Sequence, residues 1–307
     1  MSGSPGAAPL RYSAEVQAAL AAGTPVVALE SSVLAQGLPI PANREAERRV
    51  REAIEARGAV PATTAVVAGE LTVGLAGDAL ERFLRRDGIQ KVTARDLPVA
   101  MVRRTDGATT VAASLACCVA AGLGVFATGG IGGVHRDAPF DESADLAELG
   151  RSPVIVVCAG AKSILDLPAT LERLESLGVT VVGYRTDEFP GFFTARTGLA
   201  VPARAESPAE IVAIARASQR LSRPGAVLVV QPPPAAEALD ADEVERAVAG
   251  ALAAARRAGV RGAALSPHLL AAVEQATGGR SLQANLALLE ANAGLAAEIA
   301  VARAAST

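Results

Sequence analysis

Short apolar runs alternate with amphipathic segments along almost the whole chain, and this alternation restricts the fold more than any other feature. Pro25–Glu30, Ala62–Ala68, Val125–Thr128, Val154–Cys158, Val179–Gly183 and Ala226–Gln231 are runs of strand length. They are apolar throughout rather than at every second position, so both faces of each strand are expected to be covered. Helical spacing of apolar residues predicts helices over Asn43–Arg57, Thr109–Ala121, Ile164–Leu177, Pro208–Leu221, Glu237–Ala258, Pro267–Thr277 and Leu282–Ala302. Asn43 reads as an N-cap and Gly58 as a stop, while Thr109–Ala121 is apolar nearly all round and reads as buried. Strands between helices in this order predict an α/β fold with a largely parallel sheet. A closed barrel would satisfy the same pattern. The paired runs around Ala62–Leu75, joined by a short Gly-Glu, predict some antiparallel pairing and favour an open, partly mixed sheet. Lys91–Ala94 reads as one more strand. Residues 13–307 show no internal repeat and no low-complexity linker, which predicts one domain, with Pro232–Pro234 as a loop terminator. Residues 1–12 read as a disordered tail, since the first ten are mostly small or polar.

Composition narrows the function. The chain has 307 residues, half of them hydrophobic, with no Trp, so the core is expected to be built of many small side chains. A net charge of -3 gives no sign of a nucleic-acid partner. No apolar stretch of membrane-spanning length is free of Gly, Pro or charge, and Met1–Tyr12 lacks the apolar core of a signal peptide. No membrane partner and a cytoplasmic location are therefore expected. Cys117, Cys118 and Cys158 have no metal-type spacing and read as reduced, buried thiols. A catalytic Cys158 is the alternative.

Only two of the 29 basic residues are lysines, Lys91 and Lys162, and the rest are arginines. An arginine stays protonated, whereas a lysine amine can lose its proton and attack a carbonyl-like carbon. The two lysines are thus candidates for chemistry that a guanidinium cannot perform. Lys162 follows the run Val154–Cys158 and reads as lying at the start of the next helix. The field of a helix N-terminus disfavours an ammonium there, as does burial. Asp166, one turn on, could simply pair with it. Lys91 could supply a second positive charge that helps keep one amine neutral.

Ligands of open α/β sheets bind at the carboxyl ends of the strands, and other polar residues collect there. Glu30 ends the first apolar run and is followed by Ser31 and Ser32. Its desolvated position suits a proton donor, although pairing with an arginine would explain it equally. Thr128–Arg136 reads T-G-G-I-G-G-V-H-R. Its glycines permit positive φ and close approach of backbone N–H groups to an anion such as phosphate, or they serve close packing alone. The pattern matches neither a P-loop nor a dinucleotide fingerprint, so no nucleotide cofactor is expected. His135 is the better site candidate of the two histidines, and His268 reads as structural. Asp141 and Asp145 would share a face if helical. With Ser143 they could hold a divalent ion, or form an acidic helix start.

Together these segments resemble the pseudouridine-5'-phosphate glycosidase family, which includes the indigoidine-synthesis A-type proteins. The resemblance rests on A-L-E-S-S at 28–32, K-V-T-A-R-D-L-P at 91–98, G-A-T-T-V at 107–111 and T-G-G-I-G-G-V-H-R at 128–136. It continues in D-E-S-A-D-L at 141–146, V-C-A-G-A-K-S-I-L-D at 157–166, G-Y-R-T-D-E-F-P at 183–190 and S-L-Q-A-N at 281–285. It implies a three-layer α/β/α sandwich, a homotrimer, and reversible cleavage of pseudouridine 5'-phosphate to uracil and ribose 5-phosphate. It implies Lys162 as the nucleophile that forms an imine with ribose C1' and Glu30 as the proton donor. It places a manganese ion on Asp141, largely through water. Substrate contacts are implied for Lys91, Val111, Ser143, Ala144 and Asp145. Thr110, Thr128, His135 and Asn285 are further candidates, with Thr128 and His135 near the phosphate and Asn285 near the base. Glu142 departs from the family pattern, in which a neutral apolar residue is usual. The competing reading is an aldolase-type Schiff-base lyase acting on another sugar phosphate or C-glycoside. A non-catalytic sugar-phosphate binder and a ribokinase-type kinase fit less well, the latter for want of a phosphoryl-transfer motif.

Overall fold

The computed structural model describes residues 10–136, 140–260 and 265–306. Thirteen strands occur among them: β1 (Leu10–Tyr12), β2 (Val26–Leu29), β3 (Val60–Val67), β4 (Glu70–Val73), β5 (Gln90–Val92), β6 (Gly107–Thr109), β7 (Val125–Ala127), β8 (Val134–His135), β9 (Ile155–Cys158), β10 (Leu165–Asp166), β11 (Thr180–Tyr184), β12 (Arg204–Ala205) and β13 (Val227–Val230). Eleven of these form one sheet in the order β1-β4-β3-β2-β7-β9-β13-β11-β12, with β6 also on β3 and β5 on β6. Every pairing from β3 through β2, β7, β9, β13 and β11 to β12 is parallel. Within this sheet antiparallel pairing is confined to β3 with β4 and with β6, and β8 and β10 form a separate two-stranded antiparallel sheet. This is the open, mixed α/β sheet that the sequence pattern predicts, not a barrel.

The continuous apolar strands are buried because helices cover both faces. Helix Arg280–Ala305 packs on β2, β7 and β9 and against helices Ala42–Glu55 and Pro208–Arg220. Helix Val111–Ala121 packs on β2, β3 and β7 and against the short helix Ala144–Leu149. Arg280–Ala305 is apolar enough to cross a membrane by length and composition, but it is two-thirds buried against protein. It is a core helix, apolar all round because it is surrounded. The small side chains of the core, such as Ala28, Ala62, Ala112 and Ala296, are fully buried. They let these layers approach closely.

Several local expectations are corrected. Residues 1–9 lie outside the described residues, but Leu10–Tyr12 is ordered as β1, paired parallel with β4 from Leu10 opposite Leu71 to Tyr12 opposite Val73. Its apolar positions add to the edge of the sheet and shield it. Asn43 is not an N-cap. It lies inside helix Ala42–Glu55, fully buried, and its Nδ2 donates to the carbonyls of Leu34 (3.0 Å) and Leu84 (2.8 Å). The strand predicted over Lys91–Ala94 stops at Val92, because Thr93 and Asp96 form a capping box that turns the chain. The helix predicted from Ile164 begins instead at Leu167. Asp166 is its N-cap, accepting from the Ala169 N–H at 3.0 Å, with Pro168 in the first turn.

Candidate active site

The carboxyl ends of β2, β7 and β9 lie side by side, and each is followed by a candidate residue: Glu30, Thr128 and, past a turn, Lys162. The chain segments beyond β7 and β9 remain zipped together after the strands end. The Thr128 N–H donates to Val157 O (3.0 Å), Ala159 N–H to Gly129 O (2.9 Å), Ile131 N–H to Gly160 O (3.0 Å) and Lys162 N–H to Ile131 O (3.1 Å). This irregular continuation of the ladder fixes the backbone of Lys162.

The glycines of the loop serve close packing. None of Gly129, Gly130, Gly132 and Gly133 has positive φ, contrary to one sequence-based expectation. A Cβ on Gly130 would lie 2.5 Å from the Phe192 ring, on Gly132 2.2 Å from Ser143 Oγ, and on Gly133 2.3 Å from Thr170 Oγ1. Gly160 is the exception, with φ +81° and a hypothetical Cβ 2.1 Å from Pro190 O. No other residue type fits that turn.

Glu30, Lys91, Thr128, Lys162 and Asn285 line one cleft. The Glu30 side chain is buried. Thr128 Oγ1 donates to its Oε1 at 2.5 Å, and Ser32 Oγ donates to Oε2. Glu30 therefore has two hydroxyl partners and, among the described residues, no arginine paired with it, contrary to the ion-pair explanation. Beneath it, Ser31, Thr64, Thr109 and Ser114 share a buried hydroxyl network, with Thr64 Oγ1 and Thr109 Oγ1 2.9 Å apart. It ties the ends of β2, β3 and β6 together. A separate apolar hollow behind Glu30, against Val50 and Leu289, contains neither lysine.

The two lysines face each other's charge. Desolvation first, then the charge of Lys162, lower the Lys91 ammonium below the ordinary lysine value, while Glu30 and Asp145 act in the opposite sense. Lys162 is not at a helix start, so the helix-field argument does not apply to it. Asp166 is occupied as a cap.

The acidic segment divides. Asp145 is buried, and its two oxygens accept from the backbone N–H groups of Ala112 (2.9 Å) and Gly132 (2.8 Å). It is a strut between the glycine loop and helix Val111–Ala121, held by one accepted bond on each oxygen. Ser143 is the N-cap of helix Ala144–Leu149. Thr110 is the N-cap of helix Val111–Ala121, and Val111 is its first residue. Asp141 precedes the Ala144–Leu149 helix, half-exposed, with Oδ1 3.3 Å from His135 Nδ1. Among the described residues no group of three or more His, Cys, Asp or Glu could cage a metal. A lone accessible carboxylate fits a largely hydrated ion and not a protein-caged one. Glu142 is paired with Arg173 (2.8 Å), which neutralises the extra charge at that position.

Cys117, Cys118 and Cys158 are free and buried. Burial pushes the Cys158 thiol up to about 12, so it is not a nucleophile at neutral pH. His268 is exposed on helix Leu265–Ala276, away from the cleft lining.

Sequence reasoning missed Asn292. Its buried Nδ2 donates to the carbonyls of Thr128 (2.9 Å) and Gly129 (3.2 Å), and its Oδ1 accepts from Gln231 Nε2 (2.9 Å). An asparagine in the midst of the apolar buried face of this 26-residue helix was the available sign. Gln36 and Phe192, which also line the cleft, were missed as well.

The model of the family described as "indigoidine synthase A like protein" matches residues 15–302. The chain belongs to this family. The pseudouridine-5'-phosphate glycosidase of Gemmatimonas aurantiaca is 63% identical over 95% of both chains. That of Symbiobacterium thermophilum is 52% identical over 95% of this chain and 97% of its own. Among solved structures, the prealnumycin C-glycosynthase in complex with ribulose 5-phosphate superposes with a TM-score of 0.90 at 39% identity, covering 97% of this chain and 98% of that one. An indigoidine synthase A-like protein of Thermotoga maritima gives 0.89 at 35% identity, with 98% of each chain covered.

The lysine pair makes a pH prediction. Lys91 has its folded value lowered, so its charge costs stability below that value. The cost fades as pH rises through it and vanishes above the unfolded value. With only two lysines, 13C-methylated protein gives a simple spectrum. Lys91 is expected to titrate below about 10.4, and Lys162→Met to move it up. An unshifted Lys91, or one indifferent to that substitution, contradicts the coupling.

Proposed function

We propose that this protein is a pseudouridine-5'-phosphate glycosidase, cleaving the C–C glycosidic bond of pseudouridine 5'-phosphate reversibly to uracil and ribose 5-phosphate. The observation that carries the reading is the meeting of Glu30 with both lysines in one cleft. The named relatives, at 50–63% identity over nearly the whole chain, support it.

The bond explains the residues. An N-glycoside can be cleaved by protonating the base and passing through an oxocarbenium ion, usually with two carboxylates. Here the leaving atom is carbon, so another source of electrons is needed. In the proposed sequence Glu30 donates a proton to the ring oxygen and the sugar opens, leaving C1' conjugated to the base. Neutral Lys162 adds at C1'. Its nitrogen lone pair then expels uracil, which takes a proton at C5, and the iminium left on Lys162 is hydrolysed. Thr128 and Ser32 orient the Glu30 carboxyl through their hydrogen bonds. General acid help of this kind is worth about 10²–10⁴ in rate.

Lys91 would bind the phosphate with the N-terminus of helix Val111–Ala121, where Thr110 and Val111 lie. Ser143, Ala144 and Asp145 would contact substrate, His135 would lie at the phosphate end, and Asn285 at the base. A manganese ion is proposed on Asp141, mostly water-ligated, where it would add positive charge beside the phosphate. A homotrimer, a cytoplasmic location, a single catalytic domain from residue 13 onward and a degradative role complete the proposal and rest on the family resemblance.

A second reading, C-glycoside chemistry on another aglycone, is favoured by the likeness to the C-glycosynthase. Consumption of ribose 5-phosphate that requires uracil supports the first reading, and consumption without it supports the second.

Borohydride reduction in the presence of ribose 5-phosphate is expected to leave a pentose-phosphate adduct on Lys162. An adduct on Lys91, or none, contradicts the assignment. Chelation is expected to depress turnover and manganese to restore it, while indifference to both removes the ion from Asp141.

A further inference from the structure

Gln36 lies in a π-helical turn, Val33–Gly37, that follows Glu30 and its two serines directly. The turn is closed by the Leu38 N–H on Val33 O at 3.0 Å. A π turn adds a residue to the helical circuit and re-aims the side chains on it. Gln36 lines the cleft that holds Glu30, Lys91 and Lys162. Its Nε2 donates to the Ile89 carbonyl at 3.3 Å. That bond fixes the amide: a flipped group would set oxygen against oxygen. The other end, Oε1, is a buried oxygen with no hydrogen-bond partner. A buried orphan acceptor is unfavourable unless a ligand supplies a donor. Asn285 lines the same cleft.

Resting on the functional reading above, we propose that Gln36 Oε1 accepts a hydrogen bond from a ring N–H of the departing base and so selects an imide heterocycle as leaving group. A base joined through carbon shows both of its ring N–H groups, N1–H and N3–H, whereas one joined through N1 has lost the first. An acceptor locked in place is therefore matched to a carbon-linked uracil, and mismatched to an aromatic aglycone that offers no N–H. A site whose polar group is left unpaired rejects the analogue strongly, by about 10⁴–10⁵ in well-built cases. Gln36 does not act on the sugar, so its role separates from that of Lys162.

The test compares uracil, 1-methyluracil and 3-methyluracil as acceptors of ribose 5-phosphate in the synthetic direction, in the wild type and in Gln36→Met. The wild type is expected to disfavour at least one methyluracil by a hundredfold or more in kcat/KM. Gln36→Met is expected to bring that ratio within about tenfold and to raise KM for uracil at least tenfold, while borohydride still traps ribose 5-phosphate on Lys162. An unchanged ratio in Gln36→Met overturns the proposal, as does a wild type that accepts all three bases alike. Loss of sugar trapping in Gln36→Met also overturns it, since the side chain would then serve the fold. Failure of the wild type to trap ribose 5-phosphate strikes the functional reading instead, which keeps the two failures distinct.

Discussion

The site depends on a ladder that outlives its strands. Beyond the ends of β7 and β9 the two chains keep exchanging backbone hydrogen bonds from Thr128 to Lys162. They can do so only because Gly130, Gly132, Gly133 and Gly160 carry no side chain where neighbours press within contact distance. A parallel sheet normally releases its loops at this edge. Here the edge is extended by several residues, and the amine rides on rigid backbone. Asp145 secures the other side of the loop by taking the N–H groups of Gly132 and Ala112, which spends a buried carboxylate on geometry.

On that frame the charges are placed with restraint. Glu30 is buried, with the hydroxyls of Thr128 and Ser32 donating to its two oxygens. The nearby positive groups are the two lysines, and their mutual repulsion together with desolvation weakens the hold of Lys91 on its proton. Elsewhere the arginines are paired on the surface, as in the Glu45, Arg48 and Glu52 cluster of helix Ala42–Glu55. Such pairs contribute little each. The rarity of lysine thus follows a division of labour: guanidinium for solvated surface charge, ammonium for the cleft.

Much of this was legible in the sequence, and the losses have physical causes. Continuous apolar runs identified the parallel strands because burial on both faces leaves no alternation to misread. Lysine scarcity singled out Lys91 and Lys162 without any structure. Helix starts were less accessible. Asp166 and Pro168 outweighed the apolar pattern from Ile164, and with that helix start went the proposed field on Lys162. Asp141 and Asp145 looked equivalent by spacing, yet one is half-exposed and the other buried as a strut, a difference set by the distant Gly132 and Ala112. Asn43 was misread as a cap, and Asn292 and Gln36 escaped notice, because an amide is judged by its partners, and these come from 9 to 164 residues away along the chain.

The central claim is that the side chain at 162 must be an amine able to lose its proton. Arginine keeps the charge and most of the length but cannot become the nucleophile. The decisive measurement is uracil release from pseudouridine 5'-phosphate by Lys162→Arg, with Lys91→Arg beside it. The account predicts no detectable release from the first and measurable turnover from the second, where a fixed positive charge still meets the phosphate. Release at the wild-type rate by Lys162→Arg would contradict it.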